Sequence, residues 1–336
     1  MIMNTTRKVM SISMILLLAI AAVFIVSLNM GTMKIPLAEV IKAFNGTGSE
    51  QNYTVLVHFR LPRMVIAILI GAGIAVSGAI LQSISRNGLA DPGILGINSG
   101  AGLAVVLYIF YFQGSSFSAG IWSVYIMPFA ALLGAFVAAF LIYTLAWKQG
   151  VTPIRLVLVG IGINAAFAAL IIVFQLMMDP NNFMQATIWL SGSIWGASWE
   201  YVYAILPWIV LLVPYALYQS QSLNVLNLGD HTATGLGLKV ERKRRTLLLI
   251  SVALAGACVA VGGGIAFLGL VAPHLARKLV GPRHQSMLPV SALLGSLVLL
   301  VSDMIGKNLM APSEIPVGLV VSCLGAPYFI YLLIRD

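Results

Sequence analysis

Residues 246–276 read TLLLISVALAGACVAVGGGIAFLGLVAPHLA, 31 residues with no Asp, Glu, Lys or Arg among them. A helix needs about 20 apolar residues to cross a hydrocarbon core of about 30 Å. The stretch is long for one crossing and short for two. Gly262-Gly263-Gly264 interrupts it and Pro273-His274 closes it, so it is either one long span or a full span followed by a short one. The choice sets the orientation of every residue that follows.

Charge decides between them. With two spans here the chain crosses ten times and both ends lie inside. Of the 19 Lys and Arg residues, 14 then fall on inner segments, leaving Lys34, Lys42, Arg60, Arg63 and Lys307 outside. With a single span the division weakens to 11 against eight. Cations collect on the cytoplasmic side of membrane proteins, so ten spans is the better reading. Composition agrees, because 60% of the 336 residues are apolar and 9% charged, against about 45–50% and 25% in soluble domains. A soluble enzyme, a disordered chain and a nucleic-acid binder are excluded, and the +9 net charge is topogenic.

The remaining spans are bounded by charges and polar loops. Val9–Met33, Met64–Ser85, Leu156–Met178, Tyr201–Gly229, Gln285–Ser302 and Ile315–Ile334 hold one each. Pro92–Trp147 is 56 residues without a charge and holds two, broken at Gln113-Gly114-Ser115-Ser116. Arg7 and Lys8 precede a first run too long for a secretory signal core, so it reads as a retained helix. Pro180–Trp199 carries Asn181, Asn182 and two glycines and reads as an interfacial or re-entrant helix. The expected fold is an all-α polytopic membrane protein, a single domain over residues 1–336, with ten transmembrane helices and cytoplasmic N and C termini. Ala130, Gly134 and Ala138, and the cluster Gly71 to Gly78, supply the small faces on which such helices pack closely.

The chain shows little chemistry of its own. Gly306-Lys307-Asn308 lacks the first glycine and the Ser/Thr of a nucleotide-binding loop, and the H-E-x-x-H pattern is absent. The four histidines do not pair at ligand spacing, and Cys258 and Cys323 read as buried small residues. No catalytic residue, metal site or cofactor is expected. Asp303 is the strongest candidate for a carboxylate inside a span, with Lys307 one turn on as its local partner. Without an evident ion-coupling site, the energy for transport is expected from a partner. The inner loop LNLGDHTATGLGLKVERKRR, residues 226–245, offers a short helix that Asp230 can cap and that Gly235 or Gly237 can end. It is either a docking element for another protein or a solvated connection beside a topogenic cation run.

These motifs resemble the permease subunits of type II ABC importers for iron–siderophores, haem and cobalamin. The resemblance rests on RLPR at 60–63, SGAILQSISRNGLADPGILGINSGAG at 77–102 and RLVLVGIGIN at 155–164. It continues in GDHTATGLG at 229–237, GGGIAFLGLVAPHLAR at 262–277, SDMIGK at 302–307 and SEIPVGLVVSCLGAPYFIYLL at 313–333. It implies a pair of permeases (a paralogue or a second copy) with a path between them, two ATPase subunits beneath, and an extracytoplasmic binding protein. The implied location is a bacterial cell membrane, and the implied cargo is an iron–siderophore, with haem or cobalamin as alternatives. An ion-coupled secondary transporter is the alternative of another class.

Residue by residue, the resemblance assigns ATPase coupling to Gly229, Asp230, Ala233, Gly235, Leu236 and Gly237. One cytoplasmic gate falls on Asn87 and Leu89, the other on Pro153 and Ile154 with Thr152 beside them. Docking of the binding protein falls on Arg60 and Lys307, for which snorkelling is the plain alternative at Arg60. Three departures stand out. Asn87 is followed by Gly88 where many relatives have proline, and Pro153-Ile154 replaces small hydroxyl residues. Lys307 replaces arginine and so cannot form a bidentate fork. The path is expected to be small, apolar and weakly polar, with Met177, Met178 and Met184 near its outer vestibule.

Overall fold

Helices dominate because lipid supplies no hydrogen bonds, so each segment must satisfy its own backbone. The computed structural model describes residues 2–31, 33, 35–113, 123–148 and 150–335. Lys34 and the expected break at 114–116 lie outside the described residues. In chain order the helices are α1 (Ile2–Asn29), α2 (Leu37–Phe44), α3 (Glu50–Thr54), a wide π turn over Val55–Arg60, α4 (Leu61–Ser85) and α5 (Ile97–Phe112). Then come α6 (Ser123–Ala146), α7 (Pro153–Leu176), α8 (Pro180–Leu190), α9 (Trp199–Tyr218) and α10 (Ser220–Asn227). The last five are α11 (Asp230–Gly235), α12 (Val240–Gly262), α13 (Leu268–Val280), α14 (His284–Leu309) and α15 (Val317–Arg335).

The centre is built by α4, α12 and α14, whose apolar windows are mostly buried, while α1 and α7 present most of theirs outward. Glycine lets the central helices touch. A Cβ on Gly71 of α4 would fall 2.4 Å from the Gly295 carbonyl oxygen of α14. The small-residue face on α6 works the same way, since a Cβ on Gly100 of α5 would meet Ala138 at 2.4 Å and the Gly134 oxygen at 2.6 Å. At the head of α4 the π turn leads into Pro62, and the Val57 carbonyl accepts from Trp199 Nε1 at 2.8 Å.

The class matches the expectation and the count does not. Eight helices among the described residues are long and apolar enough to cross, and α5 and α13 are shorter, at 16 and 13 residues. Both short helices start after irregular segments that enter the bundle, residues 86–96 and 263–267. Such backbone is tolerated where protein rather than lipid surrounds it. Gly264 N donates to Trp189 O, and the Asn98 amide to Ile265 O. The triple glycine breaks α12 because Gly263 lies at φ +68° with no room for a side chain, since a Cβ there would fall 2.2 Å from the Trp189 oxygen. Of the two choices for residues 246–276, a full helix followed by a short one is what forms.

Two local expectations change. Asp303 pairs not with Lys307 but with Arg63, whose Nε and Nη2 each lie 2.8 Å from Oδ1. Lys307 instead donates to the Ser27 hydroxyl at 2.7 Å and its carbonyl at 3.1 Å. Cys258 is buried as expected, but Cys323 lies on the outward face of α15. The 180–190 helix is short and capped by the Asp179 carboxylate, as its non-spanning reading requires.

Candidate functional site

The two ends of the bundle collect different groups. At one end Arg86, Asp230, Glu241 and Arg244 form a connected set; at the other stand Arg60, Arg63, Asp303, Lys307 and Glu314. This is the division that the charge count assigned to the inner and outer faces.

At the inner end α11 is a single short turn between α10 and α12. Its first residue, Asp230, does not cap the helix. Gly229 occupies that position with no side-chain bond, because the Asp230 carboxylate is claimed by guanidinium groups rather than by backbone N–H. Oδ1 accepts from Arg86, and from Arg244 Nη2 at 2.8 Å. Burial alone would raise this carboxyl, but the Arg244 hydrogen bond and charge, with those of Arg86, outweigh it and hold its pKa below the ordinary carboxylate range. It is therefore ionised at neutral pH. Ala233 turns into the bundle, whereas Leu236 is 63% exposed. Around Gly229, Gly235 and Gly237 there is open space, and Gly229 and Gly237 adopt φ values of +109° and +82°.

Each segment expected to form a gate meets this set through one arginine. Arg86 closes α4 in the left-handed conformation, φ 49°, directly before Asn87. Its Nε donates to Leu226 O at 3.1 Å. Asn87 folds its own loop, accepting from Leu89 N at 2.9 Å. On the other side Arg244, 2% exposed, donates from Nη1 to Val151 O at 2.6 Å, one residue before Thr152. Thr152 leaves the first turn of α7 uncapped, its hydroxyl accepting from Arg155 Nε at 3.1 Å. Pro153 opens the helix, where its missing N–H costs nothing, and Ile154 is 74% exposed. Among the described residues no hydrogen bond or ion pair joins these two segments directly; Asp230 links both through arginines.

The outer pair departs from a free rim charge. Arg60 is 9% exposed and donates to the carbonyls of Leu28 and Met33, and Lys307 is 8% exposed on Ser27. Both cations hold the last turn of α1, whose carbonyl end favours positive charge. The arrangement also corrects simple snorkelling at Arg60, since its head group is bonded to protein. A cavity of about 240 Å³ opens beside them, with Arg63 and Glu314 on its wall. Lys307→Met keeps the stem and leaves Ser27 unanswered; a loss of about 1–3 kcal/mol is expected, read as a lower melting temperature of the purified protein.

Sequence reading missed Arg63 and Glu314 outside, and Arg86 and Arg244 inside. Arg244 was visible only as part of a basic run, although Glu241 three residues earlier is the spacing of a helical ion pair. A further chamber of about 520 Å³ lies among α5, α7, α13 and α15, lined by Asn98, Ser99, Asn164, Ile171, Phe267 and Phe329 among others. It is mostly apolar, with Asp91 on its wall, and Met177, Met178 and Met184 are not among its lining residues.

Comparison with known proteins agrees over the whole chain. The family model described as the FecCD transport family matches residues 17–335. The chain is 58% identical over 330 residues to the iron(3+)-hydroxamate import system permease protein FhuG of Bacillus subtilis (strain 168), covering 98% of each. It is 38% identical to the hemin transport system permease protein HmuU of Yersinia pestis, covering 96% of this chain and 94% of that one. A solved structure of a metal-chelate type ABC transporter in an inward-facing conformation superposes with a TM-score of 0.85 at 30% identity, covering 97% of this chain and 99% of the other. This chain belongs to the FecCD transport family, the permeases of ABC importers.

Proposed function

We propose that this permease carries an iron–hydroxamate siderophore complex across a bacterial cell membrane, with a second permease, two ATPase subunits and an external binding protein. The cargo reading is supported by the 58% identity to an iron(3+)-hydroxamate permease along essentially all of both chains. The assembly reading is carried by one observation: α11, a short helix with an open small-residue rim, sits at the inner end and is linked through Arg86 and Arg244 to the residues that precede both proposed gates. In this reading Gly229–Gly237 enters a groove on the ATPase. Asn87 and Leu89 form one gate and Thr152, Pro153 and Ile154 the other. An acidic side chain of the binding protein enters the outer cavity, where Arg60, Arg63 and Lys307 outnumber Asp303 and Glu314. ATP hydrolysis belongs to the partners, and this chain supplies the path.

Asp303 argues against ion coupling, because its carboxylate is held by Arg63 and is not presented to a passing ion. Reconstitution of the purified complex tests the reading. ATP-dependent uptake of a ferric hydroxamate in preference to haem and cobalamin is expected. Uptake of haem or cobalamin alone rejects the cargo, and ion-driven uphill transport by this chain by itself rejects the assembly.

The apolar gate has its own test. Ile154 points away from its own chain, so Ile154→Trp adds bulk without disturbing the fold. Uptake is expected to slow roughly tenfold, the effect of a barrier about 1.4 kcal/mol higher, with binding-protein affinity unchanged. Undiminished uptake removes Ile154 from the gate.

A further inference from the structure

We infer that Asp230, Arg86 and Arg244 form a mechanical link that makes the two cytoplasmic gates move together when the ATPase shifts α11. The inference rests on the proposed coupling role of α11 and goes beyond it, because nothing in that role requires the gates to be joined. The geometry is specific. One carboxylate oxygen, Asp230 Oδ1, accepts from both arginines. Arg86 lies one peptide bond from Asn87, and its side chain bridges Asp230 to the Leu226 carbonyl at the end of α10. Arg244 bridges Asp230 to the Val151 carbonyl, one peptide bond from Thr152, and is further fixed by Glu241 Oε1 at 3.0 Å. A guanidinium is a rigid planar fork, so displacement of one bonded partner is passed to the others with little slack.

A second, independent observation concerns the backbone at Arg86. The residue ends α4 at φ 49°, a left-handed conformation that suits glycine and that an arginine adopts at a cost. A strained residue held where glycine would fit suggests that its side chain is needed there. The side chain's bonds are the ones that reach α10 and α11. Displacement of α11 therefore pulls on the residue before the first gate and, through Arg244, on the residue before the second.

The test uses the complete complex in proteoliposomes and counts cargo imported per ATP hydrolysed, a ratio that a loss of folded protein does not change. Arg86→Gly relieves the backbone and removes the link. It is expected to keep its melting temperature within a few degrees and its ATPase subunits at native stoichiometry, while cargo per ATP falls at least tenfold. Arg86→Gln gives the same loss, and Arg86→Lys, which keeps a cation beside Asp230 but lacks the rigid fork that bridges to Leu226, recovers little of it. Asp230→Asn combined with Arg86→Gly is expected to fall no further than the worse of the two single variants, since both break one link. A ratio within twofold of the unmodified complex in Arg86→Gly, or losses that multiply in the double variant, overturns the link. Failure of the coupling role itself looks different, because then enlarging the rim of α11 leaves the ATPase bound.

Discussion

Gly235→Trp is expected to strip the ATPase subunits from the purified complex and to lower ATP-driven uptake about thirtyfold or more, while the permease itself stays folded. The position makes this a clean experiment. A Cβ built on Gly235 meets nothing within 4 Å, and its φ lies outside the left-handed region, so a large side chain strains neither the chain nor its neighbours. Gly237 is also open but sits at φ +82°, so a substitution there mixes backbone strain with any effect on a partner. Any loss at Gly235 belongs to what docks against it. Disrupting a well-packed contact at the centre of an interface costs about 2–4 kcal/mol, which corresponds to roughly 30- to 1,000-fold in affinity. Leu236 extends the same exposed rim, and Ala233 anchors the opposite face in the bundle. Retention of the ATPase at native stoichiometry, with normal uptake, would falsify the coupling helix.

What the sequence could and could not disclose divides along the range of the interactions. Span positions follow from uninterrupted apolar runs and from the sorting of cations, both local properties, and the reading of 246–276 as a full helix and a short one survives. The count of ten transmembrane helices does not fully hold, because the lengths of α5 and α13 depend on irregular segments buried by distant helices. The glycine triple signalled a break, but not that the Trp189 carbonyl would be the surface filling the space. Short-range pairing was also misjudged. Asp303 and Lys307 are one turn apart, yet each takes a partner far away in sequence, Arg63 and Ser27. The local pattern favours Asp230 as a helix cap. Two guanidinium groups brought in by α4 and α12 compete for the same oxygen and prevail. Charge-assisted bonds of this kind are stronger than a neutral capping bond, and no window of sequence contains all the partners. Family motifs mark the segments proposed as gates, and Arg86 lies inside one of them, but the motif does not name its partner, and Arg244 lies outside them all.

The close crossing of α4 and α13 carries the other large effect. Gly78→Val is expected to abolish accumulation of the folded permease, with Gly78→Ala nearly as severe. A Cβ on Gly78 would lie 1.9 Å from the carbonyl oxygen of Gly269 and 2.6 Å from its Cα, both backbone atoms that no rotamer change can move aside. Retreat of α13 is blocked in turn. A Cβ on Gly269 would fall 2.8 Å from Asp91 Oδ2 and 2.9 Å from Pro92 Cδ, in the segment that leads into α5. Overpacking a tight core costs about 1–3 kcal/mol where side chains can adjust, and here neither side can, so the cost exceeds that range. Marginal stability leaves little reserve against it. The same crossing fixes where α13 begins and therefore one wall of the large apolar chamber, so a chain that escaped misfolding would still present a displaced path. Gly162→Ala is the matched control, because that α7 glycine has nothing within 4 Å of its Cβ and alanine suits a helix better than glycine. Size-exclusion profiles and melting of the detergent-solubilised variants make the comparison. Normal yield and melting temperature for Gly78→Val would mean that α4 and α13 do not pack backbone to backbone, and the placement of the chamber would go with them.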